Sequence, residues 1–243
     1  MSDNKSKVAF ITGANRGIGF ETARELAEKG VTVLLGSRDL AKGETAAAKL
    51  KAKGYNVSAV KFDVNNPEDH KNLVQFIDKT YGKLDILVNN AGVWLETETA
   101  SRSNSDALRK TFESNFFDVI ASTQLLLPLL RKSPEGRIVN LSSILGSLVL
   151  HSDPKSPIYE SKNFAYNSSK TALNAFTVHL AHDLRDSNIK VNSAHPGWVK
   201  TDMGGEAAPV ELVDGGKTSV ALALLDQKGP SGGFFHAGET LPW

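Results

Sequence analysis

The sequence predicts an α/β fold: one doubly wound sheet of seven parallel strands with helices on both faces. Three observations predict it. Short β-rich runs alternate with helical stretches from end to end. The strand runs are almost continuously apolar, as strands buried on both faces must be. A glycine-rich turn follows the first strand and opens the first helix. The rival, a closed eight-fold β/α barrel, needs one more strand–helix unit and does not predict that turn.

The elements follow in order. "KVAFITG" (7–13) is a strand, rich in branched and aromatic residues. "GIGFETARELAEKG" (17–30) is a helix: Ile18, Ala23, Leu26 and Ala27 recur at helical spacing, Glu25 and Lys29 form an i,i+4 pair, and Gly30 is the stop. "VTVLLGS" (31–37) is the second strand and the Ala- and Lys-rich 40–54 the second helix. "NVSAVKFDV" (56–64), "KLDILVNNA" (83–91), "GRIVNLSS" (136–143), "IKVNSAHPG" (189–197) and "GGFFHAG" (232–238) complete the strands. Helices are expected at about 67–81, 104–132, 163–187 and 213–226. The one irregular patch is "HSDPKSPIYESKN" (151–163), with two prolines and many polar residues. No linker or repeat interrupts the pattern, so residues 1–243 read as one domain.

Composition bounds the function. Hydrophobic residues make up 40% and charged residues 23% of the 243, ordinary for a globular domain. A net charge of +1 gives no basic footprint, so neither nucleic acid nor an anionic membrane is an expected partner. The absence of cysteine excludes disulfides, thiolate catalysis and cysteine-ligated metals. No apolar run approaches the roughly 20 residues that span a bilayer, and "MSDNKSK" lacks the apolar core of a signal peptide. A cytoplasmic enzyme or binding protein is expected.

Two local patterns carry chemistry. In "TGANRGIG" (12–19), Gly13 permits a tight turn, and Gly17 and Gly19 let backbone approach a phosphate and let the helix start pack on the sheet. The helix N-terminus offers unpaired N–H groups and a positive dipole end to a pyrophosphate. The spacing is G-x-x-x-G-x-G, which departs from the usual G-x-G-x-x-G. In "AYNSSKTA" (165–172), Tyr166 and Lys170 leave one face of a helix, one turn apart. A pair at that spacing also arises by chance, and its surroundings decide.

Those surroundings come in a fixed order: TGxxxGxG, "NNAG" (89–92) after the fourth strand, a serine ending the fifth, YxxxK, and "HPGWVKT" (195–201) after the sixth. The set resembles the short-chain dehydrogenase/reductase family from about residue 7 to 203, with the "GPSGGFF" and "LPW" ending most similar to its carbonyl-reductase-like branch. The resemblance implies a Rossmann-type fold and a reversible reduction of ketone or aldehyde to alcohol, with a small carbonyl or alcohol as partner. It assigns the catalytic roles to Asn115, Ser143, Tyr166 and Lys170. Tyr166 would protonate the carbonyl oxygen. Lys170, with the oxidised nicotinamide, would draw the phenol down from its ordinary value near 10. Ser143, the second serine of its pair with Ser142, would hydrogen-bond the carbonyl oxygen, and Asn115 would hold a water linking Lys170 to solvent.

The second strand ends in Ser37 followed by Arg38, where an enzyme using NAD places a carboxylate. Arg16 sits in the glycine turn. Two guanidinium groups suit a 2′-phosphate, so the expected cofactor is NADP(H). Asp39 is expected to point outward or cap the next helix. By the resemblance, Asp63 meets the adenine edge, Asn90 and Ala91 pass near the adenosine ribose, and Val199 and Thr201 meet the nicotinamide amide and phosphate. Gly13, Asn15, Ile18, Val64, Gly92, Pro196 and Gly197 complete the cofactor-binding set, to which the resemblance also adds Tyr166 and Lys170, the lysine at the cofactor ribose.

Ser143 and Tyr166 stand 23 residues apart, where the family pattern has about 13, so about ten residues are inserted in the Pro-rich patch. That segment walls the substrate cleft or covers an assembly face. The helices at 104–132 and 163–187 are the family's usual assembly faces, which implies a homo-oligomer (dimer or tetramer), with a monomer left open. His179 and His182 lack a carboxylate partner, and no metal is expected. Trp94 and Trp198 follow strand ends and either line an apolar pocket or pack in the core. A nucleotide-holding redox sensor and a C=C (enone) reductase are the alternatives; retention of both Tyr166 and Lys170 counts against the sensor.

Overall fold

A computed structural model describes residues 6–63 and 66–243. Strands β1 (Val8–Ile11), β2 (Thr32–Ser37), β3 (Val57–Lys61), β4 (Ile86–Asn89), β5 (Arg137–Leu141), β6 (Lys190–Ala194), β7 (Phe234–His236) and β8 (Glu239–Thr240) form one sheet in the order β3-β2-β1-β4-β5-β6-β7-β8. The first seven are parallel, as expected. The eighth corrects the strand count: β8 pairs antiparallel with β7 at the edge, Phe235 opposite Thr240. Two polar residues after a Gly238 turn are too short a run to be told from loop in the sequence.

The helices are α1 (Gly17–Glu28), α2 (Leu40–Lys51), α3 (Pro67–Tyr81), α4 (Ser105–Phe112), α5 (Asp118–Leu130), α6 (Leu148–Ser152), α7 (Phe164–Asp183) and α8 (Lys217–Ala223). Local chemistry sets their ends. Asn66 accepts from the Glu68 N–H, Pro67 occupies the first turn, and Gly82 closes α3 at φ 75°. Asp39 caps α2 by accepting from the Lys42 N–H, as expected. The single helix expected at 104–132 is instead two, joined without a break by a π-helical segment, Glu113–Phe117, which contains Asn115. Such wide turns recur at functional sites and leave no periodicity signal.

Alternation along β1 divides the core. Ala9 and Ile11 pack with Leu26, Val33, Leu35, Ile86 and Val88 on one side. Val8 and Phe10 pack with Leu34, Leu87, Leu126 and Leu180 on the other. Both faces are thereby covered, and what stays open is the carboxyl edge. The strand order reverses between β1 and β4, and a crevice outside their carboxyl ends is where open α/β sheets take ligands. Among the described residues no helix is long and apolar enough to cross a membrane.

Candidate active site

Two turns meet at the β1/β4 switch point. The Thr12 hydroxyl accepts from the N–H groups of Asn90 and Ala91, each at 3.0 Å. The Asn90 amide donates to the carbonyls of Thr12 at 2.9 Å and Gly13 at 3.1 Å. The fit leaves no room for side chains: a Cβ on Gly13, which has φ +62°, would lie 3.1 Å from Ala91 Cα. Gly17 has φ +60° and nothing within 4 Å of its would-be Cβ, so it faces open space. The N-cap of α1, Arg16, makes no side-chain capping bond, and the first N–H groups of a helix have no partner within it. Bare backbone, an uncapped helix start and open space suit a pyrophosphate.

An open cavity of about 580 Å³ lies between this turn and α2, lined by Asn15, Arg16, Asp39, Lys42 and Lys49 among others. It gathers Arg16, Lys42 and Lys49 for a phosphate; the one carboxylate on its lining, Asp39, caps α2 and lies 3.8 Å from Lys42, and Ser37 at the end of β2 adds no further carboxylate. Lys42 and Lys49 belong to the Ala- and Lys-rich second helix, and no motif in the sequence marks them. Arg38 is exposed at the end of β2 and is not among the cavity's lining residues. Arg16 pairs with Asp202 of the loop after β6. Val64 lies outside the described residues. The Asp63 N–H is held by the Asp69 carboxylate at 3.0 Å.

Asn115 stands behind Gly92. Its amide oxygen accepts from Val93 N at 2.8 Å, and its nitrogen donates to Val93 O at 2.9 Å and the Ser169 hydroxyl at 3.0 Å. The side chain therefore clamps the turn after β4. A Cβ on Gly92 would lie 3.2 Å from Asn115 Oδ1 and 3.6 Å from Lys170 Nζ, which puts three of the expected residues together.

Tyr166 and Lys170 are buried on α7. Lys170 Nζ donates to the Leu141 carbonyl at 2.8 Å and lies 5.6 Å from the Tyr166 ring centroid. Burial pushes the phenol up to about 12, opposed by a hydrogen bond from Ser143. Burial also brings the ammonium down to about 8. The expected lowering of the phenol by Lys170 does not appear: burial raises it, and the one opposing influence is Ser143, a balance that spacing in a sequence does not reveal. Of the two serines, Ser143 reaches Tyr166, while Ser142 faces the Lys170 carbonyl at 3.5 Å.

The loop after β6 closes the site. Gly197 takes φ +92°, Val199 is buried and bridges to Val210, and the Thr201 hydroxyl accepts from Gly204 N at 2.9 Å. A Cβ on Gly215 would meet Val199 at 3.0 Å and Ile18 at 3.2 Å, so this loop lies over the start of α1. Trp198 is exposed, its Nε1 donating to the Gly204 carbonyl at 2.7 Å. The neighbouring imidazoles of His195 and His236 stand 4.8 Å apart, and burial drives His195 down to about 3. His179 and His182 are exposed on α7.

The inserted segment folds back on α7. His151 Nε2 lies 3.0 Å from the Leu145 carbonyl and 3.2 Å from Asn167 Nδ2, and Asn167 also donates to Ser161 O at 2.6 Å. It thus abuts the turn that carries Tyr166. One carboxyl escaped the sequence reading: Asp118, buried at the start of α5, is raised to about 6 by burial and by Glu113 and Asp63. It reads there as an ordinary first-turn acid.

A family model described as short chain dehydrogenase matches residues 7–211. The chain is 34% identical to carbonyl reductase 1 (NADPH) of Mus musculus over 97% of this chain and 98% of that one. It is 32% identical to salutaridine reductase of Papaver bracteatum over 97% and 96%. Among solved structures, an NADPH-bound carbonyl reductase from chicken fatty liver superposes with a TM-score of 0.84 at 28% identity, covering 98% and 99% of the two chains.

Proposed function

The chain belongs to the short-chain dehydrogenase family, and from that premise we propose that it is an NADPH-dependent carbonyl reductase, converting a ketone or aldehyde to an alcohol. The observation that carries this reading is the convergence of Ser143, Tyr166, Lys170 and Asn115 beside Gly92, next to a glycine turn flanked by Arg16 and Lys42.

NADP(H) is held, on this reading, by the backbone of Gly13–Gly19 at its pyrophosphate and by Arg16 and Lys42 at its 2′-phosphate, with Arg38 close by in sequence. When bound, it supplies the hydride for the carbonyl carbon. The Tyr166 hydroxyl gives its proton to the carbonyl oxygen. Its high affinity for that proton keeps it loaded throughout the neutral range. The Ser143 hydroxyl, already on the phenol, stabilises charge developing on the same oxygen. Lys170 holds a positive charge behind the ring, and Asn115 fixes the turn against which the reacting groups sit.

We assign the whole chain, 1–243, to one cofactor-binding and catalytic domain in the cytoplasm. Exposed Phe117 and Val178, on adjoining helical segments, favour a homo-oligomer. The test is oxidation of NADPH, followed optically, with aromatic ketones, α-ketoesters and aldehydes. Tyr166→Phe should lower kcat at least about 100-fold while NADPH still binds. Tight NADPH binding without turnover of any carbonyl would overturn the reading.

A further inference from the structure

The Tyr166 ring has a partner that the mechanism does not use. The Trp94 indole stacks on it, centroids 4.6 Å apart and planes within 13°. The indole is held on several sides. Its Nε1 donates to the Glu96 carbonyl at 2.8 Å. The Glu96 carboxylate accepts from the Ser103 hydroxyl and from Asn104 N, which closes the loop. The backbone before it is clamped by Asn115 through Val93, and Phe164 N donates to Glu98 O at 2.9 Å, tying the loop to the first turn of α7.

These contacts have two consequences. The only polar atom of the indole is spent on its own loop, so what it offers a ligand is π surface. Its position is fixed before a ligand arrives, so stacking against it requires no ordering of the side chain. Trp94 is half-buried, not sealed in the core: the tyrosine covers part of it and the rest stays accessible.

Resting on the carbonyl-reductase reading, we propose that Trp94 is a specificity-determining residue: a fixed aromatic wall beside Tyr166 that takes the flat, conjugated substituent of a ketone and so fixes which way an unsymmetrical substrate lies. Planar rings stack on it face to face, whereas puckered saturated rings of the same size lay fewer atoms against its face and lack the aromatic pairing. With the substrate's flat group assigned to one side, one enantiomer of the alcohol predominates.

The experiment compares acetophenone with cyclohexyl methyl ketone, which share a carbon skeleton and differ in ring planarity and in conjugation of the carbonyl; the variant-to-wild-type ratio on each ketone cancels the difference in intrinsic carbonyl reactivity. In Trp94→Ala, kcat/KM for acetophenone should fall about tenfold, mostly through KM, and that for cyclohexyl methyl ketone less than about threefold. The enantiomeric excess of 1-phenylethanol should fall towards zero. Trp94→Phe, which keeps a ring, should restore most of both, and an unchanged NADPH Kd shows the fold intact. An equal loss on both ketones, or an unchanged enantiomeric excess, overturns the proposal and leaves Trp94 a structural cover. A readout without turnover separates this from the parent reading. With Trp198→Phe and Trp243→Phe, Trp94 is the remaining indole, and its emission is titrated with 1-phenylethanol and 1-cyclohexylethanol. Saturation at about tenfold lower concentration of the aromatic alcohol supports the wall even if no carbonyl is reduced, and equal saturation rejects it.

Discussion

A Cβ on Gly19 would lie 2.4 Å from Nδ2 of Asn90, the same nitrogen that holds the Thr12 and Gly13 carbonyls. The glycine turn and the turn after β4 are therefore one interlocked unit. Gly17, two residues earlier, has open space where its Cβ would stand. Gly19→Ala should cost about 1–3 kcal/mol of stability by overpacking. Gly17→Ala should cost about 1 kcal/mol through its positive φ yet weaken NADPH at least about tenfold, because the methyl enters the phosphate's space. Thermal melts and NADPH titrations of both variants check the contrast. Equal loss of NADPH binding per unit of stability in the two would remove the distinction.

Those glycines were legible because glycine has few reasons to recur between a strand and a helix. The β1–β7 alternation was legible for a similar reason: Val33, Leu34 and Leu35 are all buried, and a strand buries three consecutive residues when its sheet is covered on both faces. Tyr166, Lys170 and Ser143 were found through an ordered set of motifs, and the structure brings them together. What the sequence concealed is set by packing between distant segments. The Trp94–Tyr166 stack joins residues 72 positions apart, and nothing in either local pattern announces it. Lys42 looks like any exposed helix lysine until α2 is placed against the glycine turn. Burial also reversed the expected shift of the phenol.

Arg16 and Lys42 flank one cavity, whereas Arg38 does not line it. Charge-assisted hydrogen bonds to phosphate contribute about 1.5–3 kcal/mol each. Arg16→Ala and Lys42→Ala should each raise KM for NADPH by roughly tenfold or more and leave KM for NADH within about threefold. The loss should shrink as salt rises. Kinetics with both cofactors at two ionic strengths test this. If Arg38→Ala alone abolishes the preference, the 2′-phosphate lies at the end of β2 and not in the cavity.

Asp118 carries its proton to unusually high pH because it is buried near Glu113 and Asp63. Between the ordinary 3.8 and about 6, the folded chain holds a proton that the unfolded chain has released. Stability contributed by this group therefore falls as pH rises through that window. Asp118→Asn has no carboxylate to charge. Its Tm relative to wild type should rise from pH 4 to pH 7, and a constant difference across that range would show the carboxyl charges as freely folded as unfolded.

Lys170 presents the opposite sign. Its ammonium is lowered to about 8 by burial, from an ordinary 10.5. Between those values the unfolded chain binds a proton that the folded chain lacks, so this group's contribution to stability rises with pH from about 8 to 10.5. Lys170→Met should lose that rise, seen as a Tm difference from wild type that changes only above about pH 8. Catalysis should move the other way. The Tyr166 proton is retained to about 12, so it does not limit carbonyl reduction in the neutral range. The charge behind the ring is lost above about 8, and kcat/KM for reduction should fall there. Alcohol oxidation needs the phenolate and should instead gain with pH. Profiles in both directions, with Lys170→Met lacking the inflection near 8, decide whether the titrating group is the lysine. A reduction limb that persists in the variant would assign it to another residue.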